Sequence, residues 1–104
     1  MAPALQHLIN HYPEEIDVDE LASLCHLSLT HFRRVFLAAI GAPPLEYLAR
    51  LRVRMAAAML REQADKSIMT VASEVGFDSH NTFHRHFRQT IGMSPREWRR
   101  AATR

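Results

Sequence analysis

Glycine, cysteine and lysine are nearly missing from this 104-residue sequence, which holds three, one and one of them respectively. Three scattered glycines leave no room for a glycine-rich loop that cradles phosphate, and none flanks a serine or cysteine as a nucleophile turn would require. The lone Cys25 excludes an internal disulfide framework and any multi-thiolate metal site, and its apolar neighbours suggest a buried small hydrophobe. No apolar run approaches the roughly 18 residues that span a bilayer. Nor does a basic start lead into an apolar block and a small-residue cleavage site. The expected state is soluble and cytoplasmic, with no membrane partner. No stretch carries a convincing strand pattern, so the expected class is all-α.

Basic residues are also absent from the first 32 positions, which hold Glu14, Glu15, Asp17, Asp19 and Glu20. All 13 basic residues lie from Arg33 onward against 6 acidic ones, a local balance of +7 inside a chain whose net charge is only +2. Such asymmetry points to a polyanion on one side of the molecule. Twelve of the 13 are arginine, whose planar fork suits phosphate and guanine better than a point charge does. The alternative is a solvated basic surface without a partner.

Leu5, Leu8 and Ile9 recur at helical spacing within a helix expected from Pro3 to His11. Asp17, with Glu20 three residues on, starts a second helix from Val18 to about Cys25. Ser28 caps a third to about Ile40, with Phe32, Val35, Phe36 and Ile40 inward, and Gly41 ends it. Pro43-Pro44 restarts the chain into its longest helix, to about Gln63, roughly 30 Å if unbroken. Arg50, Arg52 and Arg54 on that helix read as solvated or salt-bridged, with Glu46, Glu62 and Glu74 available. Ser67 caps a helix from Ile68 to Val75, Gly76 turns the chain, and Asp78 or Ser79 caps the next helix to about Ile91. Ser94-Pro95-Arg96-Glu97 is a complete capping box for a last helix through Trp98. That makes about seven helices.

An internal repeat organises them. At an offset of 50, Leu21-Ala22-Ser23 matches Val71-Ala72-Ser73, Cys25 matches Val75 and Leu27 matches Phe77. One extra residue then shifts the offset to 51, aligning Ser28 with Ser79, Phe32 with Phe83, Arg34 with Arg85, Phe36 with Phe87, Gly41 with Gly92 and Pro44 with Pro95. Each copy reads as a helix-turn-helix: a small alanine where helices cross, and Leu27 or Phe77 plugging the turn. Gly76 stands where a left-handed residue is expected, whereas the first copy has His26, which predicts a strained or differently shaped turn.

Projecting the helix after Ser79 at about 100° per residue puts Phe83, Phe87 and Ile91 inside. Asn81, Thr82, Arg85 and Gln89 then face outward, Arg88 lies nearby, and His84 and His86 take opposite flanks. Arginine can meet guanine O6 and N7, asparagine adenine N6 and N7, and threonine a base or a phosphate. The first copy turns Thr30, His31 and Arg34 outward with Arg33 on the flank, but has Leu37 and Ala38 where the second has Arg88 and Gln89. Phe32, Phe36, Phe83, Phe87 and Trp98 are expected in the core. His80 and His84, spaced i and i+4, could share a metal, but no third ligand stands nearby and flank histidines can serve phosphates instead. We therefore expect no metal site, no cofactor and no catalytic residues.

The signature Gly76-Phe77-Asp78-Ser79 with Phe83, Arg85, Phe87, Gly92, Ser94, Pro95 and Trp98-Arg99 resembles the C-terminal DNA-binding domain of the AraC/XylS family of bacterial transcription regulators. Tyr47-Leu48, Arg52, Ala56 and Met59-Leu60 are similar to its linker helix, and the likeness runs from about Val18 to Arg100. Tyrosine is frequent in the family where Trp98 stands, and glycine where His26 stands. The resemblance implies two helix-turn-helix subdomains joined by a long linker helix, divided as 1–42, 43–63 and 64–104. Both recognition helices would enter successive major-groove segments, since a spacer of about 30 Å approaches the roughly 34 Å turn of DNA. The resemblance implies DNA contacts by Thr30, Arg33 and Arg34 in the first unit and by Asn81, Thr82 and Arg85 in the second, and the helical projection adds His31, His84 and Arg88 as candidate DNA-binding residues. Double-stranded DNA is the implied partner, with RNA polymerase and an effector-binding or dimerisation domain outside this chain as further candidates. A non-specific DNA binder and a helical protein-interaction module are the alternatives.

Overall fold

The computed structural model describes residues 1–102, which form seven helices and no strand. These are α1 (Ala2–His11), α2 (Val18–Leu24), α3 (Leu29–Ile40), α4 (Pro44–Glu62), α5 (Ile68–Glu74), α6 (His80–Ile91) and α7 (Pro95–Ala102). Every helix from α1 to α7 was expected, and the ends move by one residue at most except at α7, which runs four residues past Trp98 to Ala102. The chain divides into two compact units, Met1–Ala49 and Arg50–Arg104, with the boundary inside α4.

In the first unit α1 packs on α2 and α2 on α3. Ala4, Leu8, Leu21, Phe32 and Phe36 are fully buried or nearly so. The Phe32 and Phe36 rings lie 5.6 Å apart, and Tyr47 meets Phe36 edge-on at 5.7 Å. Asp17 caps α2 by accepting from the Asp19 amide at 3.0 Å, so the expected reciprocal pairing with Glu20 does not describe this cap. The Glu20 carboxylate instead lies 3.9 Å from His7 Nε2 of α1. Cys25 closes α2 half-buried rather than fully enclosed.

In the second unit α5 packs on α6 and α6 on α7 around Val53, Leu60, Val71, Val75, Phe83 and Phe87, all without exposed surface. Ser79, not Asp78, is the N-cap of α6, its Oγ accepting from the Thr82 amide. Ser94 and Glu97 form the full capping box of α7: the Glu97 amide donates to Ser94 Oγ and the Ser94 amide donates to Glu97 Oε1, both at 3.1 Å. Those bonds from Ser94 hold the Glu97 carboxyl below the ordinary range, with Arg88 and Arg100 adding to the effect. Trp98 is half-buried rather than fully in the core. Its Nε1 donates to Ala57 O of α4 at 2.9 Å. Arg99 follows it onto α4, where Nε donates to Leu60 O, a carbonyl near the end of the helix, and Nη2 to Gln63 O, which also accepts from the Lys66 amide at 3.1 Å.

The two turns are the same Schellman motif. In the first, the His26 amide donates to Ser23 O at 3.0 Å and the Leu27 amide to Ala22 O at 3.0 Å. In the second, Gly76 donates to Ser73 O at 3.1 Å and Phe77 to Ala72 O at 3.0 Å. Of the two expected outcomes, a strained turn or a differently shaped one, the first is found: the turn keeps the shape of the second, and the difference is confined to backbone strain, with His26 at φ 57° and Gly76 at φ 106°. A side chain in the left-handed region costs about 1 to 2 kcal/mol, while glycine loses about 0.5 to 1 kcal/mol more entropy on folding. His26→Gly should accordingly stabilise the first unit by about 0.5 to 1 kcal/mol, read from the urea midpoint at unchanged m. A lower midpoint would mean that the exposed imidazole makes a stabilising contact.

Candidate nucleic-acid interface

The Schellman turns make α3 and α6 the second helices of two helix-turn-helix units, and both begin with a serine cap. Ser28 Oγ accepts from the His31 amide at 3.2 Å and Ser79 Oγ from the Thr82 amide at 3.3 Å. Each cap fixes where the first turn of its helix starts. The phenylalanines at positions four apart then fix which side faces in. Phe32 and Phe36 hold α3, and Phe83 and Phe87 hold α6, all four without exposed surface. The remaining face is left to the solvent by geometry.

On α3 that face presents Thr30, His31, Arg33 and Arg34, all exposed. It turns apolar toward the C-terminus. Leu37 is 50% exposed, and with Val18, Pro43, Pro44, Leu45 and the Arg33 side chain it lines a shallow groove of about 340 Å³. On α6 the solvent face presents Asn81, Arg85, Arg88 and Gln89 as exposed side chains, with Thr82 and His84 half-buried along its margin. Arg88 lies 3.9 Å from Glu97 of α7, a loose pair that leaves most of its guanidinium in water. His86 falls on the opposite flank, its ring 6.0 Å from that of Phe77.

Two neighbours of this face were not assigned from the pattern of residues. His80, the first residue of α6, has its ring 4.2 Å from that of His84, the two tilted by 56°. Burial, His80 and Arg88, in that order, push His84 below the usual histidine range. The spacing is visible in the sequence, where it raises a metal pair only to set it aside for want of a third ligand. Among the described residues no group of three or more His, Cys, Asp or Glu could hold a metal ion. The second neighbour is Arg52 of α4, half-buried, whose guanidinium is lowered by burial and supported by Asp78 in the turn before α6. Glu74, one of the acids expected to serve the α4 arginines, instead accepts from Lys66 Nζ at 2.7 Å. The partner of Arg52 comes from a loop that periodicity cannot place in space.

The family known as the helix-turn-helix domain matches residues 21–101, more than three quarters of the chain. The chain belongs to the AraC/XylS family. Among AraC/XylS relatives, the RCS-specific HTH-type transcriptional activator RclR of Escherichia coli K12 is 34% identical over 82 residues, 79% of this chain and 28% of RclR. The HTH-type transcriptional activator RhaS of Enterobacter sp. 638 is 36% identical over 92 residues, 88% of this chain and 33% of RhaS. The chain thus spans about a third of the length of these regulators. Among solved structures, the DNA-binding domain of AdpA, a global transcriptional factor in complex with a target DNA, is 35% identical with a TM-score of 0.86. That similarity covers 96% of this chain and 89% of the AdpA chain. An AraC-type regulator from Chromobacterium violaceum, 25% identical, gives a TM-score of 0.89 over 99% of this chain and 91% of its own.

Proposed function

We propose that this chain is a sequence-specific double-stranded DNA-binding module of a bacterial transcription regulator, with α3 and α6 as its recognition helices. The observation that carries the reading is the duplicated turn. Two identical Schellman hydrogen-bond patterns each deliver a serine-capped helix whose buried side is fixed by two phenylalanines and whose free side is rich in arginine. The DNA complex of the 35% identical AdpA domain supports it.

In this reading residues 1–42 and 64–104 carry the two reading heads and 43–63 link them, each head entering a successive major-groove segment. Arg85 and Asn81 read base edges, Thr82 a base or phosphate, and His84 and Arg88 hold phosphate. Thr30, His31, Arg33 and Arg34 serve the first head, whose reading is limited to its N-terminal half because Leu37 and Ala38 offer no hydrogen bonds. The module supplies no catalysis and works in the cytoplasm. RNA polymerase and an effector or dimerisation domain are partners of the longer regulator.

The test is selection of bound sequences from a random duplex pool, followed by competition titration at fixed salt. A specific reader should prefer its selected site by about 10³ or more over random duplex. Arg85→Ala should cost about 1 to 3 kcal/mol on that site and relax preference at one base pair. Equal loss on every sequence would leave Arg85 as a phosphate contact, and no enriched sequence would make the chain a non-specific binder. Absence of salt-dependent DNA binding would favour a protein-interaction module.

A further inference from the structure

We propose that His80 and His84 together form a protonatable clamp for a DNA phosphate at the N-terminal end of α6, so that duplex binding by the second unit takes up protons. The inference rests on the reading of α6 as a recognition helix and adds a residue and a regulation to it. Four of the seven histidines lie on the two recognition helices, at His31, His80, His84 and His86. Of these, His86 is turned toward Phe77, whereas His80 and His84 face each other at 4.2 Å on the other flank, in the first turns of the helix. A helix start already favours anions, because its amides point outward there.

Two imidazolium rings at this separation repel, and Arg88 one turn further on adds to the repulsion. The free pair therefore resists carrying two charges near neutral pH. A phosphate oxygen placed against both rings reverses that balance, since each protonated ring then donates a charge-assisted hydrogen bond to one anion. The surroundings leave the pair free to respond. Asp78 lines the same hollow as His80, but Arg52 of α4 draws on that carboxylate. From α5 the hollow receives Met69, Ala72 and Ser73, which carry no charge. From α7, Glu97 lies against Arg88 and offsets it weakly across 3.9 Å.

A group whose bound-state pKa exceeds its free value contributes affinity fully below the free value and loses it as pH rises through the bound value. In the free protein His84 sits below the ordinary histidine value of about 6.5. Affinity should therefore fall as pH rises across the window that begins below about 6.5.

Fluorescence anisotropy of the full chain with a labelled mixed-sequence 30-base-pair duplex, at constant ionic strength from pH 5.5 to 8, tests this. For one proton taken up, affinity should fall by about tenfold per pH unit at its steepest. In the double variant His80→Gln/His84→Gln the ratio of affinities at the two ends of the range should shrink to about twofold, a residue left to the remaining histidines. Ring proton resonances of the unsubstituted protein should show both histidines titrating at higher pH once duplex is added, which keeps the test valid should the double variant fail to fold. A flat profile in the unsubstituted protein, a slope that survives the double substitution, a uniform loss at every pH, or ring titrations that duplex leaves in place would each overturn the clamp. Failure to bind the duplex at any pH would instead overturn the DNA-binding reading beneath it.

Discussion

Phe83→Ala is expected to destabilise the second unit by about 3 to 5 kcal/mol. Phe83 has no exposed surface, and its ring lies 5.3 Å from Phe77 and 5.6 Å from Phe87. Phe77 plugs the helix-turn-helix turn, so this stack joins the turn to the recognition helix. Removing the middle ring leaves a cavity and takes away the edge-on partner that holds Phe77. A unit of this size has only a few kcal/mol of stability to lose. Urea unfolding followed by the fluorescence of Trp98, the sole tryptophan, reports on this unit and should show its midpoint collapse. Phe83→Leu, which keeps most of the volume, should cost no more than about 1.5 kcal/mol. A loss below about 1 kcal/mol for the alanine variant would mean that the surrounding helices close over the gap.

The same ring shows why so much of this fold was legible beforehand. Phenylalanines at four-residue spacing, serine caps and glycine stops are local signals, each with one helical solution, and they located α3, α5, α6 and the start of α7 within a residue. The repeat then explained the turns. His26 was identified as the position under strain because Gly76 marked what its twin requires, and its φ of 57° is that strain. What escaped were contacts between elements far apart in sequence. Arg52 reads from the sequence as solvated or salt-bridged with Glu46, Glu62 and Glu74 available, and the fold adds Asp78, from the turn before α6, to its surroundings. Trp98 looked like a core residue, but periodicity gives a direction without a depth, and the side chain is only half-buried. His80 was passed over as a DNA contact for a related reason. Helical projection spreads residues over a circle, while the approach of two rings four residues apart is decided by their rotamers.

Trp98→Ala is the second large effect, expected at about 2 to 4 kcal/mol, below the full core value because the ring is half-buried. At eight residues α7 is too short to persist alone, so its helicity depends on attachment. Three contacts provide that attachment to α4: the indole hydrogen bond to Ala57 O, the Arg61 guanidinium 6.0 Å from the indole centroid, and the Arg99 bonds to Leu60 O and Gln63 O. The first two end with the ring, and of these three only the Arg99 bonds then still tie α7 to α4. The Arg99 guanidinium serves a carbonyl near the end of α4, so detachment of α7 also uncaps the helix it leaves. Trp98→Phe separates packing from hydrogen bonding. Ala57 lies within α4, where helical geometry already supplies its carbonyl with a donor, so this variant should cost only about 1 kcal/mol. Because both substitutions remove the fluorophore, unfolding is followed by far-ultraviolet circular dichroism. Amide exchange in α7 supplies the local readout: protection there should vanish in the alanine variant and persist in the phenylalanine variant. Equal loss in both variants would assign the anchoring to the hydrogen bond rather than to the ring. In that case the tyrosine frequent at this position in the family would need a different way of holding α7 to α4.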